Sequence, residues 1–98
     1  MDAELKKLIH NLEQIYPALA KEYHISSIGI FGSYVRAEQD PQSDLDVLVS
    51  FSEAPSLFKF IALENYLSDI LGIKVDLVME KALKPQIGKR IQAEVIRI

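Results

Sequence analysis

The apolar positions of the first quarter of the chain fall on one helical stripe. Leu5, Leu8, Leu12, Ile15, Leu19 and Tyr23 recur at three- and four-residue spacing and predict a helix over 2–23. Pro17 interrupts that stripe, so a kink is expected, or a second short helix with Pro17 in its first turn. The period then changes. ISSIGIF, 25–31, is short, β-branched and aromatic, and predicts a first strand ending at Gly32. Residues 33–37 can open a short helix, and EQDPQS after them holds the chemistry of a loop. A second strand is predicted over 44–51, a helix over 55–71 with Pro55 near its start and Gly72 as its stop, and a third strand over 73–79. A last helix over 85–95 places Ile87, Ile91 and Val95 on one face. This order predicts a small α/β (α+β) domain, a mixed sheet of three or four strands covered by helices.

Alternation along the second strand separates two faces. Leu45, Val47, Val49 and Phe51 make an apolar face that belongs in the core, whereas Asp44, Asp46, Leu48 and Ser50 share the other. That second face begins acidic and turns apolar at Leu48, as though a helix covers its far end and leaves the near end open. Asp44 and Asp46 are about 7 Å apart along a strand that rises roughly 3.3 Å per residue. Their carboxylates can converge on one cation, or on two cations roughly 3.5–4 Å apart. Oxygen-only donors favour magnesium or manganese over zinc. The third strand, IKVDLVM, carries one acid, Asp76, opposite the Val75, Leu77 and Met79 face. If the second and third strands are neighbours, Asp76 meets Asp44 and Asp46, and the mutual repulsion raises at least one pKa. Taken alone, a D-x-D pair also fits a turn cap followed by a solvated acid.

Composition narrows the class. The 98 residues suit one domain spanning 1–98, and an apolar fraction of 49% predicts a folded chain. With no cysteine there are no disulfides or thiolate metal sites, which suits a reducing, cytoplasmic setting. No apolar run approaches the roughly 18 residues of a membrane span, and MDAELKK lacks the order of a signal peptide. A net charge of −3 argues against direct, sequence-blind binding to nucleic acid. The charge is uneven: from Lys81 onward, Lys81, Lys84, Lys89, Arg90 and Arg97 face only Glu94.

Gly32-Ser33 stands where a strand ends and a helix can begin. Free N–H groups there attract an anion, Gly32 lets the backbone approach a phosphate, Ser33 adds a hydroxyl, and Arg36 can aim a guanidinium at the same place. Gly32-Ser33-Tyr34-Val35-Arg36, then AEQDPQ, then Ser43-Asp44-Leu45-Asp46 resembles the G-S-x-x-R…S-D-x-D signature of the DNA polymerase β-like nucleotidyltransferase superfamily. The likeness spans essentially the whole chain and is similar to the minimal nucleotidyltransferase (MNT) subgroup.

The resemblance implies a polymerase β-like fold and an active site. In it Asp44, Asp46 and Asp76 would be the catalytic acids and the ligands of two Mg²⁺ ions, with Mn²⁺ as an alternative. Gly32, Ser33, Arg36 and Ser43 would bind the nucleotide and its phosphates, with ATP as substrate. It further implies a HEPN-domain toxin as partner, AMP transfer to one of that partner's hydroxyls, a tyrosine, and an antitoxin role. Transfer to a nucleic-acid end or a small molecule is the alternative within the same chemistry. Neutralising a partner by binding alone is the alternative outside it.

Overall fold

The computed structural model describes residues 2–98. Helix α1, Ala3–Tyr23, begins where the Asp2 carboxylate accepts the Leu5 N–H at 2.7 Å, and stops at His24, which takes a left-handed conformation (φ 58°). Asp2→Ala should lower the melting temperature, since it leaves the Leu5 N–H without its cap. The second short helix considered at Pro17 does not form, and α1 runs through it as one helix. Pro17 lies on the exposed side, as does Glu13, whose carbonyl loses its partner there. Strands β1 (Ile25–Phe31) and β2 (Leu45–Phe51) follow, then α2 (Leu57–Leu71), β3 (Val75–Met79), a 3₁₀ turn (Glu80–Ala82), α3 (Pro85–Glu94) and β4 (Ile96–Arg97).

Among the described residues these form one four-stranded mixed sheet in the order β3-β2-β1-β4. β2 runs parallel to β3 and antiparallel to β1, while β4 is antiparallel to β1. The two faces are those the alternation predicts. Ile28, Ile30, Leu45, Val47, Val49, Val75 and Leu77 join Leu5, Leu8, Leu12 and Leu19 of α1 and Leu63, Leu67 and Leu71 of α2 in the main core. On the other face, Ile91 of α3 packs on Phe31 and Leu48 in a second, smaller core.

The exposed edge of the sheet is managed by α2. Ser68 Oγ accepts the Val75 N–H at 2.9 Å and Glu64 accepts the Leu77 N–H at 2.8 Å, so β3 does not offer a bare edge. At the opposite edge Gly29 pairs with Arg97, and a Cβ at Gly29 would stand 2.9 Å from the Ile96 carbonyl oxygen. The absence of a side chain there lets β4 lie against β1.

Strand alternation does not reach residues 33–37, where the sequence allows a short helix. They form a single hydrogen-bonded turn instead. The Val35 and Arg36 N–H groups both reach the Gly32 carbonyl, and the Glu38 N–H closes back on the Ser33 carbonyl at 2.9 Å. Ala37, left-handed at φ 57°, ends the turn in the manner of a helix C-terminus before a second turn is made. α2 leaves Leu57 and Phe58 uncovered, Phe58 at 85% exposure.

Candidate active site

The open end of the α3-covered face is the site. In the parallel register Asp46 stands directly opposite Asp76, and in the antiparallel register it stands opposite Phe31, the last residue before Gly32. One cross-strand row therefore carries both acids and leads straight into the glycine turn. Asp44 lies just before β2, half-buried, with Lys74 Nζ 3.9 Å from one of its oxygens. That exposed contact is worth little.

Gly32 is fixed by two constraints. Its φ is +84°, which glycine adopts without penalty, and a Cβ at this position would collide with the Asp46 carboxylate, 2.9 Å from its Cγ. The backbone of the turn and the carboxylate of β2 are thus in direct contact. A cleft opens over them, lined by Phe31, Gly32, Arg36, Asp46, Arg90 and Glu94 among others.

Asp46 carries the electrostatic signature of the site. Its pKa is pushed up to about 6, first by burial and then by the neighbouring charges of Asp76 and Asp44, while Arg36 pulls the other way and loses. The sequence expectation that crowding raises at least one acid is met at the middle residue of the three. Asp76, on the edge strand, is exposed.

The cradle is arranged differently from the one expected. The Gly32 N–H donates to Glu94 Oε2 at 2.6 Å, and Arg36 Nη1 donates to both Glu94 oxygens at 3.0 Å. Arg36 Nε also meets Glu38 at 3.0 Å. Ser33 stands at the start of the turn, partly exposed. The Ser43 hydroxyl is engaged away from the cleft, accepting the Asp40 N–H at 3.0 Å. Tyr34 is buried in the main core, where burial raises its phenol pKa.

The Nucleotidyltransferase domain family matches residues 5–98. The chain belongs to that family. MntA of Thermococcus cleftensis, a protein adenylyltransferase, is 47% identical over 94 residues, which cover 92% of this chain and 95% of the relative. A Methanocaldococcus jannaschii relative assigned to the same class is 47% identical over 97 residues, 98% of this chain and 96% of its own. A solved structure assigned as a minimal nucleotidyltransferase superposes with a TM-score of 0.82 at 33% identity, covering 100% of this chain and 97% of that one. The MNT antitoxin of Shewanella oneidensis, solved with a tri-AMPylated HEPN toxin, shares the fold at a TM-score of 0.68 and 20% identity, covering 92% of this chain and 70% of that one.

The minimal nucleotidyltransferase reading and its fold therefore stand, and the expectation of an adenylyltransferase enzyme is met by full-length relatives of that class. Among the described residues no helix is long and apolar enough to cross a membrane. The residues of this nucleotidyltransferase also fit a divalent ion. Its donors are carboxylates, and Asp46 lacks enough positive charge to settle it. Among the described residues no three acids, histidines or cysteines are grouped so as to hold a metal ion by themselves. Magnesium is commonly held by one or two carboxylates, with substrate phosphates and water in its remaining positions.

Sequence reasoning singled out Gly32, Arg36 and Asp46, which the fold brings to one cleft, and Asp76, which it pairs with Asp46. It missed Glu94 and Arg90. A signal for Glu94 was present: it is the lone acid in a basic segment and ends a helix, where the helix dipole disfavours negative charge.

Proposed function

We propose that this protein is an antitoxin that transfers AMP from ATP to a tyrosine hydroxyl of a HEPN-type ribonuclease toxin. The observation that carries the reading is the contact between the Gly32 turn and the Asp46 carboxylate, which puts N–H and guanidinium donors for phosphate beside paired acids for metal. Support comes from the protein adenylyltransferases to which the chain is 47% identical over nearly its full length. A solved toxin–antitoxin complex of the same fold holds AMP-PNP, and another holds an AMPylated HEPN toxin.

In this reading the acceptor oxygen forms a bond to the α-phosphorus, the bond from that phosphorus to the bridging oxygen breaks, and pyrophosphate leaves. The acceptor's proton is taken up on the Asp76 side. Gly32, Ser33 and Arg36 hold the β- and γ-phosphates and so fix the line of attack, with Ser43 supporting the loop that leads into Asp44. Two divalent ions, Mg²⁺ or Mn²⁺, held by Asp44, Asp46 and Asp76, would neutralise charge developing on the triphosphate.

Incubating the purified protein with its partner toxin, labelled ATP and magnesium should place label on the partner and release pyrophosphate. Label absent from the partner but present on an RNA end or a small molecule would overturn the protein-modifying reading. A second reading, neutralisation by binding alone, draws on the uncovered Leu57 and Phe58 of α2, which offer a partner an apolar surface. The Asp44→Asn, Asp46→Asn double variant separates the two. Full neutralisation by that variant at equal abundance would make catalysis dispensable.

A further inference from the structure

We propose that Glu94 is an internal stand-in for the substrate's phosphate: its carboxylate occupies the Gly32–Arg36 cradle in the resting protein and must leave when nucleotide binds, so that this residue sets nucleotide affinity. The inference rests on the nucleotidyltransferase reading and deepens it.

The contacts are those a phosphate would make. One backbone N–H at 2.6 Å and a guanidinium reaching both oxygens at 3.0 Å form a charge-assisted anion site, and the anion in it comes from the end of α3. Three surroundings make Glu94 easy to displace. It sits at the C-terminal end of a helix, where the dipole repels a carboxylate. It adds negative charge beside Asp46, which Asp76 and Asp44 already crowd. Its side chain is partly exposed, so it can turn out of the cleft without unpacking the fold.

Its backbone, by contrast, is held. Val95 donates to the Ile91 carbonyl at 2.8 Å, and β4 follows immediately, paired to β1. A rotation of the side chain is therefore the natural movement. When it occurs, the Gly32 N–H and Arg36 Nη1 come free together, while Arg36 Nε keeps its bond to Glu38. Any conformer in which the cradle is occupied cannot take triphosphate, so the apparent affinity falls by the fraction of time the cradle is open.

The test uses the full chain alone, with no acceptor, and titrates it calorimetrically with magnesium and α,β-methylene ATP, which cannot release pyrophosphate. Glu94→Gln keeps the size of the side chain and removes its charge, and Glu94→Ala removes both. Each is expected to bind the analogue roughly tenfold more tightly than the wild type, as for a cradle freed from a competitor that fills it about nine-tenths of the time. In the wild type, the carboxyl carbon resonance of Glu94 should move as the analogue saturates the protein, a measurement that depends on no variant. Equal affinities with a stationary resonance would overturn the proposal alone, and weaker binding by the variants would do the same by making Glu94 a support of the bound state. Failure of all the proteins to bind would overturn this proposal together with the nucleotide reading it rests on.

Discussion

Asp46→Asn should leave a protein that is more stable than the wild type and almost inert. Under the proposed function, in which Asp46 would hold a metal ion at the reacting phosphate, AMP transfer is expected to fall at least about a thousandfold, the worth of several kcal/mol of charge stabilisation. The gain in stability follows from the raised pKa. Asp46 binds its proton more tightly in the folded chain, at about 6, than in the unfolded chain, near 3.8. Between those values the native state holds more protons, so wild-type stability falls as pH rises from about 4 to about 6 and stays low above it. Asparagine carries no such penalty. Allowing for solvent screening at a half-buried site, the variant should be about 1–2 kcal/mol more stable at pH 7.5, with the difference vanishing toward pH 4. Thermal melts at several pH values read this directly. Magnesium should raise the melting temperature of the wild type more than that of the variant. A variant destabilised at pH 7.5, or a difference that does not depend on pH, would mean that Asp46 is a structural acid.

The same residue shows why the site was legible in the sequence. An acid placed where alternation demands half-burial contradicts the local rule, and such contradictions collect where function is bought with stability. The faces of β2 and β3 followed from period alone and set each acid opposite its own strand's apolar face, whereas the meeting of Asp46 and Asp76 depended on the two strands being neighbours, which the parallel pairing supplies. Other features left no periodic trace. β4 is two residues long, shorter than any alternation can reveal, and depends on the bare backbone of Gly29 to find its place. Ser68 and Glu64 look like ordinary polar positions of α2, yet they satisfy the edge of β3. The turn at 33–37 carries helix-compatible residues, and its termination lies in the backbone angle of Ala37, which the residue type does not announce. Glu94 meets Gly32 across 62 positions of sequence, a contact set up by the packing of Ile91 on Phe31 and Leu48 and by the pairing of β4 with β1.

Gly32→Ala is expected to be the most damaging small substitution in the site. Two costs add. A non-glycine residue at φ +84° costs about 1–2 kcal/mol. The new methyl group also meets the Asp46 carboxylate, which must turn away from the position it holds beside the turn. Together these should lower stability by about 2–4 kcal/mol, a fall of roughly 10–20 °C in melting temperature for a chain of this length. Transfer activity should be lost as well, because the displaced carboxylate no longer faces the cradle. The two costs separate in a double-mutant cycle. In an Asp46→Ala background the collision is gone, so Gly32→Ala should cost only the backbone part, leaving a coupling of about 1 kcal/mol or more. Additive effects would place the whole cost in the backbone angle and would remove the contact between turn and carboxylate as the feature that selects glycine. A strong coupling would mean that phosphate cradle and metal-binding acid are built as one unit, with the missing side chain of Gly32 as the space they share.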